Sequence, residues 1–201
     1  MASIYDFKPR FQGLLRPLSD RLAGAGVTAN QLTITAMLLS IASGAAVILW
    51  PDQHWPLLLI PLVLLLRMAL NAIDGMLARE HAMASSLGAL LNELGDVISD
   101  VALYLPLALV PGVPALWFVI AVVLAIISEM SGMAAVQIGA ERRYDGPMGK
   151  SDRALAFGTI SLLLGLGVNA GLWLDGVLML LVLLLIVTIF NRARCALASV
   201  A

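Results

Sequence analysis

Asp74, Arg79, Glu93, Asp96 and Asp100 stand close together in an otherwise apolar chain, in the stretches NAIDGMLAR (71–79) and GALLNELGDVISD (88–100). An ionisable side chain inside a membrane segment is expensive unless paired or solvated, so such a cluster marks a functional site. Grouped carboxylates have one evident chemical use. Hard divalent cations take oxygen ligands and are held by a few carboxylates together with substrate phosphates. Two such ions can clamp a pyrophosphate and stabilise charge on the attacking and leaving oxygens. A further carboxylate can accept a hydroxyl proton, and Arg79 offers a fork of donors to phosphate.

These residues need helices to bring them together. At ~100° per residue, Arg67, Asn71, Asp74, Gly75 and Ala78 share one face of a helix, and Asn92, Glu93, Asp96 and Asp100 share one face of the next. Facing each other, the two arcs would line a pocket with carboxylates. Gly75 and Gly88 remove side chains where a ligand or another backbone must come close.

The rest of the chain sets those helices in lipid. Of its 201 residues 61% are hydrophobic and 12% charged, against roughly 25% charged in soluble domains, and the mean hydropathy is +0.96. A net charge of −1 gives no pull towards nucleic acid. The single cysteine, Cys195, excludes an intrachain disulfide. The first 27 residues contain no continuous apolar core, which argues against a cleavable signal peptide.

Six apolar stretches, 29–50, 56–78, 87–110, 114–139, 153–173 and 176–196, approach the ~20 residues that cross ~30 Å of hydrocarbon. Short connections marked by Pro51, Pro56, Pro111, Pro114 and Gly171 alternate with longer polar ones at 79–86 and 140–152. The fold class expected is therefore all-α and membrane-integral, with six transmembrane helices (28–201) after an N-terminal interfacial segment (1–27). In that segment Phe7, Phe11, Leu14, Leu15, Leu18 and Leu22 recur at helical spacing, Lys8, Arg10, Arg16 and Arg21 take other positions, and Pro9 and Pro17 are expected to break or kink it into short pieces. Apart from Arg67, inside the second span, basic residues gather before the first span, after the second, around 142–153 and at the end of the sixth, and the opposite connections carry none. The positive-inside rule then puts both termini and the acidic cluster in the cytoplasm. Trp50, Trp55 and Trp173 fall at the other face, as an aromatic belt would.

The acidic stretch resembles the signature of the CDP-alcohol phosphatidyltransferase family, D-x-x-D-G-x-x-A-R-(x8)-G-x-x-x-D-x-x-x-D. Asp74, Gly75, Ala78, Arg79, Gly88 and Asp96 match it, while Asn71 and Asn92 replace its first and third aspartates. The segment VTANQLT (27–33) resembles the family's T-P-N-x-L-T, with Ala29 for proline. This resemblance implies a CDP-linked lipid donor such as CDP-diacylglycerol, or another CDP-alcohol. It also implies an acceptor alcohol whose hydroxyl attacks the β-phosphoryl group with release of CMP, Mg²⁺ or Mn²⁺ on the signature residues, and a homodimer in a lipid bilayer, expected to be a prokaryotic cytoplasmic (inner) membrane. Asn30, Gly75, Ala78, Arg79 and Gly88 would hold the cytidine diphosphate. Asp74, Asp96, Asp100, Asn71, Asn92 and Glu93 form the metal set, and Asp96, with Asp100 in reserve, is the expected base.

The two asparagines carry no charge, which leaves a catalytically impaired relative that binds CDP-lipid or a partner protein as the alternative reading. Glu93 and Asp100 lie on nearly the same arc and could restore the missing charge. Lys150 and Arg153, opening the fifth span, either bind an acceptor phosphate or lipid headgroup or act as topology determinants paired with Asp152. Glu129, midway along the fourth span, either pairs with Arg67, hydrogen-bonds when protonated, or lines the acceptor route. Arg67 is expected on Asp74 or Glu129, Arg142 and Arg143 are expected as flanking charges, and His81 as a solvated loop residue. A solute transporter would need a polar path across the bilayer, and the non-cytoplasmic halves of the spans are almost uniformly apolar.

Overall fold

A computed structural model describes residues 4–200, with side chains from residue 11 onward. The chain runs as α1 (Ile4–Gly24), α2 (Ala29–Leu49), α3 (Trp55–Glu80), α4 (Ser86–Tyr104), α5 (Ala115–Ala134), α6 (Lys150–Gly165) and α7 (Leu172–Ala198), with one-turn 3₁₀ extensions at Leu105–Leu109 and Ala135–Ile138. No strand occurs among the described residues.

Local chemistry sets the helix starts. Thr28 and Gln31 form a reciprocal box ahead of α2: the Gln31 N–H donates to Thr28 Oγ1 at 3.3 Å and the Thr28 N–H to Gln31 Oε1 at 2.9 Å. Ser85 Oγ accepts the Gly88 N–H at 3.0 Å before α4, and Asp152 Oδ2 accepts the Gly149 N–H at 3.0 Å at the start of α6.

Six helices occupy the six expected apolar stretches, and four of them, Ala29–Leu49, Trp55–Glu80, Ala115–Ile138 and Leu172–Ala198, are long and apolar enough to cross a membrane. The other two fall short for different reasons. α4 carries Glu93, Asp96 and Asp100 within 19 residues. α6 ends at Gly165, well before the expected residue 173, because the chain turns through Gly167 at φ 88°. Its 16 residues reach only about 24 Å at ~1.5 Å per residue. α1 also departs from expectation, since Pro9 and Pro17 do not break it and the helix runs unbroken over 21 residues. A proline removes one backbone hydrogen bond, and here the turns on either side keep the helical path.

The chain divides into two compact units, Met1–Ile41 with Leu62–Ser99, and Ala42–Pro61 with Asp100–Ala201. In the first, Ala29, Leu32, Ile73, Met76 and Leu77 form a buried cluster against which Leu15, Leu22 and Val27 pack. Ion contacts reinforce this packing: Arg16 meets Glu80 at 2.8 Å, and His81 Nε2 lies 3.2 Å from Asp20 Oδ1. His81 is thus a docked side chain. Phe11, Leu14 and Leu18 of the expected apolar face are exposed, whereas the side chains of Phe7, Lys8 and Arg10 lie outside the described residues.

In the second unit the Tyr104 and Phe157 rings stack at 4.1 Å between centroids, with Phe118 tilted against Phe157 at 6.0 Å. A Cβ on Gly44 would fall 1.8 Å from the Ala102 carbonyl oxygen, so that crossing admits glycine alone. Pro61 sits inside α3 and cannot donate to the Leu57 carbonyl one turn back. Ser161 Oγ on α6 supplies the missing donor, at 2.7 Å. Ser161 is fully buried, so Ser161→Ala should lower stability by about 1–3 kcal/mol, the cost of an unsatisfied buried carbonyl. Thermal unfolding in detergent reads this directly, and an unchanged midpoint would show that the carbonyl has another partner.

Candidate active site

Three helices of the first unit converge on the acidic cluster. From α2, Thr33 Oγ1 lies 2.8 Å from Asp74 Oδ2 and donates to it, orienting that carboxylate. From α3, Asn71 Nδ2 donates to Asp96 Oδ1 on α4 at 3.2 Å. Arg67, one turn before Asn71, brings Nη2 within 3.7 Å of the same oxygen and donates to the Asp96 backbone carbonyl at 3.5 Å. The two arcs therefore face each other. Asp74 and Arg67 are buried, while Asn71, Asn92, Glu93 and Asp96 are half-buried. Arg67 meets Asp96 here, a partner the helical spacing did not assign it.

The two signature glycines have distinct tasks. A Cβ on Gly88 would stand 2.7 Å from Asn30 Oδ1 and 3.1 Å from Ser85 Oγ, so this glycine lets the start of α4 close on the start of α2. A Cβ on Gly75 would stand 3.2 Å from both terminal nitrogens of Arg79, so Gly75 gives room for that guanidinium to fold back over its own helix. Arg79 is exposed at the end of α3, beside half-buried Ala78. Asn30, Gly75, Ala78, Arg79 and Gly88 thus occupy one unit with Asp74 and Asp96.

The oxygen set suits a hard divalent ion. It comprises the Asp74 and Asp96 carboxylates and the side-chain amide of Asn71, while Asn92 and Glu93 are half-buried on α4. Among the described residues no three of His, Cys, Asp and Glu come together to hold a metal. Amide oxygens and substrate phosphate would therefore complete the shell, which is how Mg²⁺ is usually held.

The remaining expected site residues lie in the second unit, in a buried charge network. Arg153 is 1% exposed. Its Nη2 donates to Asp100 Oδ2 at 3.1 Å, its Nη1 lies 2.9 Å from Glu129 Oε1, and Nη1 also reaches Ser128 Oγ and the Met148 carbonyl, both at 3.4 Å. Arg192 of α7 donates to the Ser128 carbonyl and meets Glu129 Oε1 at 3.4 Å. Arg142 meets Glu129 Oε2 at 3.4 Å and lies over the Tyr144 ring. Glu129 is thus the shared counter-ion of three arginines, and Asp100 a counter-ion of Arg153.

This overturns several expectations. Glu129 gathers Arg142, Arg153 and Arg192, partners that none of the three readings open to it had named. Arg142 is a member of this network, while Arg143 pairs with Asp145 at 2.9 Å. Asp152 caps its helix, and Arg153 turns inward to acids on α4 and α5. Lys150, half-buried, opens α6. The spacing had not assigned roles to Thr33, Ser128 or Arg192. The one available signal was the presence of basic residues, Arg153 and Arg192, in the apolar helices α6 and α7 with an acid, Glu129, inside α5.

The CDP-alcohol phosphatidyltransferase family profile matches residues 26–191. The chain belongs to this family of transferases. It is similar to the inner membrane protein YnbA of Escherichia coli (strain K12), with 44% identity over 195 residues, covering 97% of this chain and 96% of that protein. It is 29% identical over 102 residues to the archaetidylinositol phosphate synthase of Pyrococcus horikoshii, about half of each chain. Two crystal structures of the Mycobacterium tuberculosis phosphatidylinositol phosphate synthase share the fold. One, with CDP-DAG bound, has TM-score 0.74 and 20% identity over 90% of this chain and 92% of that one. The other, in complex with manganese and citrate, has TM-score 0.75 and 22% identity over 90% and 88%. As a CDP-alcohol phosphatidyltransferase with several membrane-length helices, the protein is membrane-bound and acts in phospholipid biosynthesis.

Proposed function

We propose that the protein transfers a phosphatidyl group from CDP-diacylglycerol to a phosphorylated alcohol, releasing CMP, with a divalent ion held at Asp74 and Asp96. The observation that carries this reading is the convergence of α2, α3 and α4 on those two carboxylates, with Arg79, Gly75, Gly88 and Asn30 in the same unit. Bound Mg²⁺ or Mn²⁺ would neutralise pyrophosphate charge. Arg79, given room by Gly75, presents its guanidinium to phosphate, and Asn30, brought against the start of α4 by Gly88, hydrogen-bonds to the nucleotide. Thr33 keeps the Asp74 carboxylate in place, and Asp96 takes the proton of the attacking hydroxyl. Glu93 and Asn92 stand by as outer oxygen ligands. Asp100 is assigned instead to holding Arg153.

A phosphorylated acceptor is favoured by the charge network of the second unit. Arg142, Arg153 and Arg192 gather on Glu129, and Arg153 also on Asp100, so the network sets three guanidiniums, whose donors suit an anion, in one unit. Lys150 at the start of α6 adds to it. The names of the archaeal and mycobacterial relatives, both inositol phosphate lipid synthases, point the same way. In the membrane we place both termini and the site in the cytoplasm by the distribution of Lys and Arg, with six crossing segments and a homodimeric assembly as in the family. The exposed Phe11, Leu14 and Leu18 of α1 suit contact with the lipid interface.

The decisive assay supplies CDP-diacylglycerol with inositol phosphate, glycerol phosphate, free inositol or serine and follows CMP. CMP release should require a phosphorylated acceptor and stop with EDTA. Turnover that persists with EDTA sinks the metal assignment. Silence with every acceptor favours the non-catalytic binder, the reading supported by the uncharged Asn71 and Asn92.

A further inference from the structure

We propose that Glu129 holds the seat of the acceptor's phosphate and sets which anions can take it. Its carboxylate stands among Arg142, Arg153 and Arg192 as an internal monoanion. A doubly charged phosphate monoester displaces it, and a singly charged phosphodiester does not. This selection rests on the reading of a phosphorylated acceptor and names the residue that imposes it.

The carboxylate makes the contacts that a small anion would make. Glu129 Oε1 lies 2.9 Å from Arg153 Nη1 and 3.4 Å from Arg192 Nη1, and Oε2 lies 3.4 Å from Arg142 Nη2. Guanidiniums from three separate stretches of the chain thus converge on two oxygens. Arginine forks match phosphate as well as carboxylate. A phosphate monoester brings three such oxygens, one for each guanidinium.

The buried arginines have other acceptors to hold them when the carboxylate leaves. Arg153 Nη2 donates to Asp100 Oδ2 at 3.1 Å, and Nη1 reaches Ser128 Oγ and the Met148 carbonyl, both at 3.4 Å. Arg192 donates to the Ser128 carbonyl, and its Nε to the Asp145 carbonyl at 3.4 Å. Its head lies against Gly132, where a Cβ would stand 3.3 Å from Nη1. The side chains of Arg153 and Arg192 are 1% and 2% exposed, and that of Glu129 is 14% exposed. Glu129 is therefore nearer water, on a flexible side chain, while the two guanidiniums form a fixed frame.

Exchanging one singly charged group for another gains little, since both neutralise the frame equally. A second negative charge changes the balance, because water screens Arg153 and Arg192 poorly and the added attraction is strong. A bilayer is rich in singly charged phosphodiesters, and the Glu129 carboxylate keeps those headgroups out of the seat.

The test measures anion binding without CDP-diacylglycerol or metal, so silence in the CMP assay does not bear on it. Methyl phosphate and dimethyl phosphate are titrated by calorimetry into the detergent-purified full chain at about pH 8, where the monoester is doubly charged. The wild-type chain should bind methyl phosphate at least about tenfold tighter than dimethyl phosphate. Equal affinities, or binding of neither, overturn the proposal. Glu129→Gln keeps the shape of the side chain and removes the competing charge. It should bind dimethyl phosphate at least about tenfold tighter than wild type does. A Glu129 with a purely structural role would lower the melting midpoint without tightening that binding, and this outcome sinks the idea. Arg192→Gln in the Glu129→Gln background should abolish the gain, and a gain that survives places the anion away from these arginines. If the affinities hold and CMP release proves indifferent to the acceptor's phosphate, the acceptor reading fails and the charge selection by Glu129 stands.

Discussion

Asp74→Asn should reduce CMP release by at least about 10³-fold while leaving the folded protein intact. Two comparisons set that size. Losing a group that only orients a metal ligand typically costs about 10–100-fold, and Thr33→Val, which removes the hydroxyl at 2.8 Å from Asp74 Oδ2, should fall in that range. Losing the ligand's charge should cost more, because neutralising pyrophosphate charge is the main service the site supplies. Stability should hardly change. Asparagine keeps the shape of aspartate and an oxygen for Thr33 to bond, and the chain already tolerates asparagine at 71 and 92. The pair is read together, with initial rates of CMP release at saturating Mg²⁺ against detergent melting curves. An Asp74→Asn protein within tenfold of wild type would mean that Asp74 does not hold the metal.

The same residues show how far sequence carries. Helical spacing put Asn71 and Asp74 on one face and Asp96 on one face of the next helix, and the bond from Asn71 to Asp96 shows those faces in contact. This was legible because both arcs lie in consecutive helices joined by a short loop, where periodicity nearly determines geometry. Length was less legible. The apolar run after Lys150 continues past residue 165, but Gly167 turns the chain, and a hydropathy pattern does not weigh one positive φ. Pro61 likewise gave no hint of its compensation, since the Ser161 hydroxyl arrives from a helix 100 residues further along the chain. The partners of Glu129 were hidden for the same reason. They come from the segment after α5, from α6 and from α7, and no local pattern orders helices that far apart. Counting charges gave Arg142 and Arg192 a topological role by default, and left Arg153 between binding an acceptor phosphate or headgroup and pairing with Asp152. Burial shows that two of them, Arg153 and Arg192, are structural cations.

That network leads to the largest stability effect expected in the molecule. Glu129→Leu should cost about 3–5 kcal/mol, the range for breaking a buried ion pair from one side, and more than Arg153→Ala. Removing Glu129 strips the shared acid from Arg142, Arg153 and Arg192 at once, while Arg153 keeps Asp100. Arg153→Ala removes one cation instead. Glu129 and Asp100 both lose Arg153, but Glu129 keeps Arg192 and Arg142 at 3.4 Å each, so the cost should stay near the lower end. Glu129→Gln separates charge from shape: its oxygen can still accept from Arg153 and Arg192, and the loss should fall between wild type and Glu129→Leu. Unfolding midpoints in detergent rank the three variants. The reverse order, Arg153→Ala worse than Glu129→Leu, would mean that the cluster tolerates unbalanced positive charge when empty. An anion from the medium would then be its natural counter-ion, and adding inorganic phosphate should raise the midpoint of Glu129→Leu more than that of wild type.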